Sequence, residues 1–219
     1  MTSICETRIK CAVCGKRSHH DNVASTSIFC KPDLDGRPGA MARGTMPFWI
    51  QRCPRCGYCA PELNAKILGR KRFMEKEIYQ NQLNDPNYPE LCNTFLCFAL
   101  LEENAGNLSA AAWAIISGAW ICDDAKRNKK RKHALELRSR AVIMIERALE
   151  KGEKYDKQAG YSESVLVDLL RRSGQFNKAE KACKKALKMD IDGVTRKILN
   201  FQKKLIRRQD IGCHCQGEV

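Results

Sequence analysis

Two short units, Cys11-Ala12-Val13-Cys14-Gly15 and Cys53-Pro54-Arg55-Cys56-Gly57, constrain this chain more than any other feature. Two residues between cysteines form a tight turn that presents both sulfurs to one ion. Glycine after the second cysteine tolerates a positive φ, so backbone N–H groups can turn toward the thiolates. Pro54 presets the second turn. Four thiolates suit one tetrahedral zinc ion with no position left open. Cys11, Cys14, Cys53 and Cys56 are therefore the expected metal ligands, and the ion a structural one. Unrelated cysteine pairs or disulfides are the alternative, and the matched spacing speaks against it.

The chain has 219 residues, thirteen of them cysteine, and a formal net charge of +14. So many cysteines in a small secreted protein would signal a disulfide scaffold. Here the count is odd, and Met1 to Lys10 has no apolar signal core. The expectation is a reducing, cytoplasmic setting, with several thiols buried as small apolar groups. No run approaches the roughly 18 apolar residues of a membrane span. Cys5, His19, Cys30, Cys59, Cys213 and Cys215 are spare donors for a second site. Cys59 is the first substitute should one of the four ligands be wrong. His19 and His20 are expected in a solvent-facing loop.

Residues 1–60 form the metal module, with short strands expected over Ile9–Val13 and Phe48–Arg52. Between the knuckles lies Pro32-Asp33-Leu34-Asp35-Gly36-Arg37-Pro38, an ordered loop. A divalent cation on Asp33 and Asp35 is weighed against local turn capping, with Arg37 paired nearby, and capping is favoured. From Pro61 the composition turns helical, and a body spanning 61–209 is expected. Apolar periodicity predicts helices over Glu62–Leu83, Leu91–Asn104, Leu108–Cys122, Asp124–Lys151, Ser162–Arg172, Asn177–Met189 and Thr195–Arg208. Residues 210–219 read as a flexible tail, where Cys213-His214-Cys215 would sit exposed.

Ser162–Leu187 resembles a tetratricopeptide repeat. Leu166, Leu170, Gly174, Ala179, Cys183 and Ala186 fall at its packing positions, and small residues let two antiparallel helices approach closely. Glu163 stands where the repeat has an aromatic, and Ile191 where it has a proline. Phe95–Gly118 is a weaker second copy. The segment Cys11–Cys59 is similar to the start of the mostly bacterial domain-of-unknown-function family 2225. The matching residues are the two knuckles, Pro32–Pro38 and Trp49-Ile50-Gln51-Arg52. The resemblance implies a zinc-ribbon head and a helical body, and it implies no catalytic residues. The fold class expected is thus mainly α, a loop-rich zinc ribbon followed by a tetratricopeptide-like body of antiparallel helical hairpins.

A closed four-thiolate site has no position for a substrate water, and no phosphate loop or nucleophile motif is visible. The expectation is a non-enzymatic zinc protein whose helices bind a protein or peptide partner. The alternative is nucleic-acid binding through Lys126, Arg127, Lys129, Lys130, Arg131 and Lys132, with Arg70, Lys71 and Arg72 as a second basic cluster. A redox sensor built on the tail thiols is a third reading.

Overall fold

In the computed structural model the described residues are 1–65, 69–125, 128–153 and 158–219, with the side chains of 128–131 left aside. The chain is mainly helical, with a small strand-and-knuckle head. A long hairpin comes first: β1 (Thr2–Lys10) pairs antiparallel with β2 (Arg17–Thr26), in register from Lys10↔Arg17, with a bulge at Ser3/Ile4. A 3-10 helix (Ala42–Phe48) leads to β3 (Gln51–Arg52), which pairs with β4 (Cys59–Ala60).

The hairpin is longer than the sequence suggested. Polar residues fill even the half-buried positions of β2, among them Ser18, His20 and Asn22, which hides the two-residue apolar period of a half-buried strand. His19 and His20 consequently lie on β2 and not in a loop.

The helices are α1 (Arg70–Met74), α2 (Glu77–Leu83), α3 (Glu90–Ala105), α4 (Leu108–Asp124), α5 (Asn128–Glu150), α6 (Tyr161–Arg172), α7 (Phe176–Ala186) and α8 (Gly193–Arg207). The single helix expected over Glu62–Leu83 is instead two short ones, α1 and α2. Glu62–Asn64 forms turns, and 66–68 lie outside the described residues. From α3 onward the expected boundaries hold within about four residues.

Consecutive helices pack as hairpins, with α4 against both α3 and α5. Gly118 sits at that three-way contact: a Cβ there would already touch Cys92, Leu96 and Leu137 at 3.4–3.5 Å. Asp192 caps α8 by accepting from the N–H groups of Val194 and Thr195.

One apolar core runs through head and body. Cys11, Cys53, Tyr58 and Cys59 share it with Phe95, Leu101, Ile115, Trp120 and Leu169. Trp49 stacks on Trp113 with ring centroids 5.7 Å apart, fastening the head to α4. Residue 60, the expected domain boundary, is therefore crossed by continuous packing. A satellite cluster of Leu34, Ile198 and Leu205, with Phe201, seats the loop between the knuckles on α8.

The carboxyl-terminal segment is not a free tail. The Arg171 guanidinium donates to the carbonyls of Asp210 (2.6 Å) and Gly212 (2.9 Å). Leu34 N–H donates to the His214 carbonyl and Gln216 N–H to that of Pro32. Its polar composition suggested looseness, but the partners come from loop 32–34 and α6, far away in sequence.

Candidate metal centre

The first knuckle is the turn of the β1–β2 hairpin and the second is the turn between β3 and β4. Their backbones close in the same way. Cys11 N–H donates to the Lys16 carbonyl (2.9 Å), and Cys53 N–H to that of Tyr58 (2.8 Å). Gly15 and Gly57, at φ +72° and +70°, each donate to the carbonyl of the first cysteine of their unit at 2.9 Å. Ala12 N–H donates to the Leu63 carbonyl, which ties the first knuckle to the chain leaving the second.

The four sulfurs meet between the knuckles, all within 4.8 Å of one another. Cys11 and Cys56 lie 3.7 Å apart, as do Cys14 and Cys53. These distances exclude bonded disulfides, whose S–S length is about 2.05 Å. They match a tetrahedron, because metal–sulfur bonds of about 2.3 Å give edges of about 3.8 Å. Cys11 and Cys53 are each 1% exposed, while Cys14 and Cys56 face partly outward. The donor set fits one metal ion held from both knuckles, and all-thiolate donors favour a soft or borderline metal.

Burial pushes the Cys56 and Cys11 thiols up. At Cys14 burial acts the same way, but the Lys16 N–H and the neighbouring thiols outweigh it and bring the thiol down. Metal binding would displace the remaining protons.

Helices hold the second knuckle from behind. Tyr79 on α2 donates its hydroxyl to the Gly57 carbonyl at 2.8 Å. Arg70 on α1 donates to the Tyr58 hydroxyl at 3.2 Å and pairs with Glu102 on α3, whose second oxygen accepts from Asn107. Sequence reasoning missed this support. It placed Arg70 in a basic surface cluster, yet Arg70 is 5% exposed and neutralised by Glu102. Glu102, its distant partner, gave no local signal.

Among the described residues no other cysteine or histidine joins the four. Cys5 is exposed on β1, His19 faces Glu6 at 3.2 Å, and Cys30 is exposed. Cys59 is fully buried and donates to the Gly57 carbonyl, and burial together with nearby Cys97 raises its thiol well above the usual range. Cys215 is half-buried in the carboxyl-terminal segment. Cys213 donates to Asp33 at 3.4 Å. Desolvation of that sulfur and the facing Asp33 and Asp35 push it up to about 12, with Arg172 opposing. Cys213 itself is exposed, as the sequence suggested for this segment.

Asp33 and Asp35 neither face a shared cation nor serve mainly as turn caps. Asp33 accepts from Arg43 at 2.8 Å. Asp35, fully buried, accepts from Trp120 Nε1 (2.9 Å) and Arg172 (2.5 Å), with one long bond from Arg37 N–H. The Arg37 side chain reaches Asp124 on α4 and not a local carboxylate. Arg172 also pairs with Asp123 at 3.0 Å, and Arg138 donates to the same aspartate. Burial alone would raise the Asp123 carboxyl, but Arg138 and Arg172 hold it below the usual range. This network is occupied by its own arginines and joins the inter-knuckle loop, α4, α5 and α6.

Lys126 and Arg127 of the expected basic run lie outside the described residues, as do the side chains of Lys129, Lys130 and Arg131. Lys132 is exposed and sits 3.8 Å from Glu136. No helix among the described residues is long and apolar enough to cross a membrane. No family model, curated protein or solved structure matches the chain.

Proposed function

We propose that this chain is a non-enzymatic zinc protein, in which Cys11, Cys14, Cys53 and Cys56 hold one structural Zn2+ and the helical body binds a protein partner. The observation that carries the reading is the four-sulfur cluster, closed on itself and built into the same core as the helices. Four protein thiolates complete a tetrahedral zinc shell, so the ion would stabilise the fold without meeting substrate. The α6–α7 hairpin supports a tetratricopeptide-like body, with Ala179, Cys183 and Ala186 buried where its two helices approach. A cytoplasmic location suits a site that works only with reduced thiols.

Quantitative affinity purification of the tagged, zinc-loaded full chain from its own cells tests this reading. It expects protein partners that recur between replicates and survive nuclease treatment. Recovery of nucleic acid alone from the folded, zinc-loaded protein would overturn it.

A second reading, nucleic-acid binding, gains one observation. Between Gln175 and Arg208 the chain carries eleven Lys or Arg against three acids. Phosphate binding there would fall steeply with added salt. A filter-binding titration with duplex RNA across salt concentrations decides it.

A further inference from the structure

A groove of about 500 Å³ opens where α6 lies between α5 and α7. Its floor is apolar: Leu166 and Leu170, one helical turn apart on α6, with Leu149 and Ala182 at the sides. Its two walls carry opposite charge. Lys178, Lys181 and Lys185 stand on α7, spaced three and four residues apart and so on one helical face. Glu146 and Glu150 stand on α5, also one turn apart. All five charged residues are exposed, and none has an ion-pair partner among the described residues. On the outer side of α7, Lys184 is paired with Glu180 at 2.8 Å, so the unpaired lysines are those facing the groove.

We infer that this groove receives an amphipathic partner helix with a leucine-type apolar stripe, Asp or Glu along the flank facing α7 and Lys or Arg along the flank facing α5. The inference rests on the protein-interaction reading and gives it a surface. The apolar floor anchors the stripe, and the oppositely charged walls fix which way round the helix lies. The groove is bounded by helices and offers no sheet edge, which favours a helix over an extended strand. A nucleic acid suits the place poorly, because Glu146 and Glu150 repel phosphate and the floor has no aromatic ring for base stacking. The α7 wall, eleven residues long, spans about 16 Å, enough for about three turns of a partner.

The test pans a display library of random peptides, about sixteen residues long, on the zinc-loaded full chain, followed by anisotropy titrations. Wild type is expected to enrich peptides with apolar residues at helical spacing and acids on one flank. Lys181→Glu/Lys185→Glu, two exposed substitutions, should weaken those peptides about tenfold or more. Glu146→Lys/Glu150→Lys should instead favour peptides acidic on both flanks. Zinc content and melting temperature of each variant report that the fold is kept. Enriched peptides that bind both variants as tightly as wild type would overturn the groove and leave the interaction reading standing. Enrichment of nothing by zinc-loaded wild type would count against that reading as well. Duplex RNA retention lost in Lys181→Glu/Lys185→Glu, with no peptide enriched, would overturn the peptide in favour of a polyanion.

Discussion

Gly57 shows how much one missing Cβ does. Its φ is +70°, and a Cβ would sit 2.3 Å from Leu83 Cδ2, whereas at Gly15 (φ +72°) the nearest atom is 3.9 Å away. Gly15→Ala should therefore cost about 1–2 kcal/mol of backbone strain. Gly57→Ala should cost about 1–3 kcal/mol more, because the buried Leu83 side chain on α2 must give way. Melting both variants in excess zinc reads the difference, and equal losses would contradict the close packing of α2 on the knuckle. His214 offers a second test at this scale. Burial lowers its pKa, but Glu218 (2.8 Å) and Asp210 (3.0 Å) outweigh this and raise it. His214 leads in holding the Glu218 carboxyl below its usual range, while at Asp210 the Gly212 N–H does most of the lowering and His214 adds to it. A raised histidine contributes stability that is present below its unfolded value of about 6.5 and lost as pH rises through the folded pKa. The lowered carboxyls contribute stability lost as pH falls through theirs. The carboxyl-terminal clasp should thus be tightest in mildly acidic solution, which an NMR titration of the His214 ring measures. A midpoint below about 6.5 would contradict it. The knuckles were legible at this scale because their chemistry is local: cysteine spacing and a following glycine suffice. Arg70 was misread for the opposite reason, since its partner Glu102 is thirty-two positions away.

Among the elements, helices from α3 onward were legible because their apolar period is set by the shared core. The β1–β2 hairpin was not, because both its faces are polar. Least legible was the way elements are joined by the buried Asp–Arg network. Asp35 and Arg172 lie 137 positions apart, and nothing local to either announces the pairing. Asp33 and Asp35 look like a cation site in sequence because the arginines that pair with them, Arg43 and Arg172, come from elsewhere in the chain. Arg172→Ala leaves Asp35 without its closest cation and Asp123 with only Arg138, so it should destabilise by about 3–5 kcal/mol. Urea unfolding measures this, and a loss below about 1 kcal/mol would show that the network is solvated. Arg171 acts on a different element. Its fully buried guanidinium holds the Asp210 and Gly212 carbonyls, so Arg171→Lys should free the carboxyl-terminal segment. Faster amide exchange at Leu34 and Gln216, whose N–H groups bond across that junction, is the expected signature.

Across the whole molecule, the four-cysteine cluster belongs to the main core and is not an appendage. Cys11 and Cys53 are buried in one cluster with residues of α3 to α6, and Trp49 stacks on Trp113 of α4. Metal loss should therefore loosen helices as well as knuckles, and unfolding should be one cooperative transition whose midpoint falls with chelator. Acid should do the same, because the thiolates must stay deprotonated to hold the ion. Native mass spectrometry of the purified full chain, with and without chelator, beside Cys53→Ser, asks whether the four thiols hold one ion that the fold requires. The expected result is one tightly held zinc per chain, lost on chelation together with helical circular dichroism and absent from a poorly folded Cys53→Ser. A chain that is fully folded with no metal, or whose zinc survives Cys53→Ser, would contradict it.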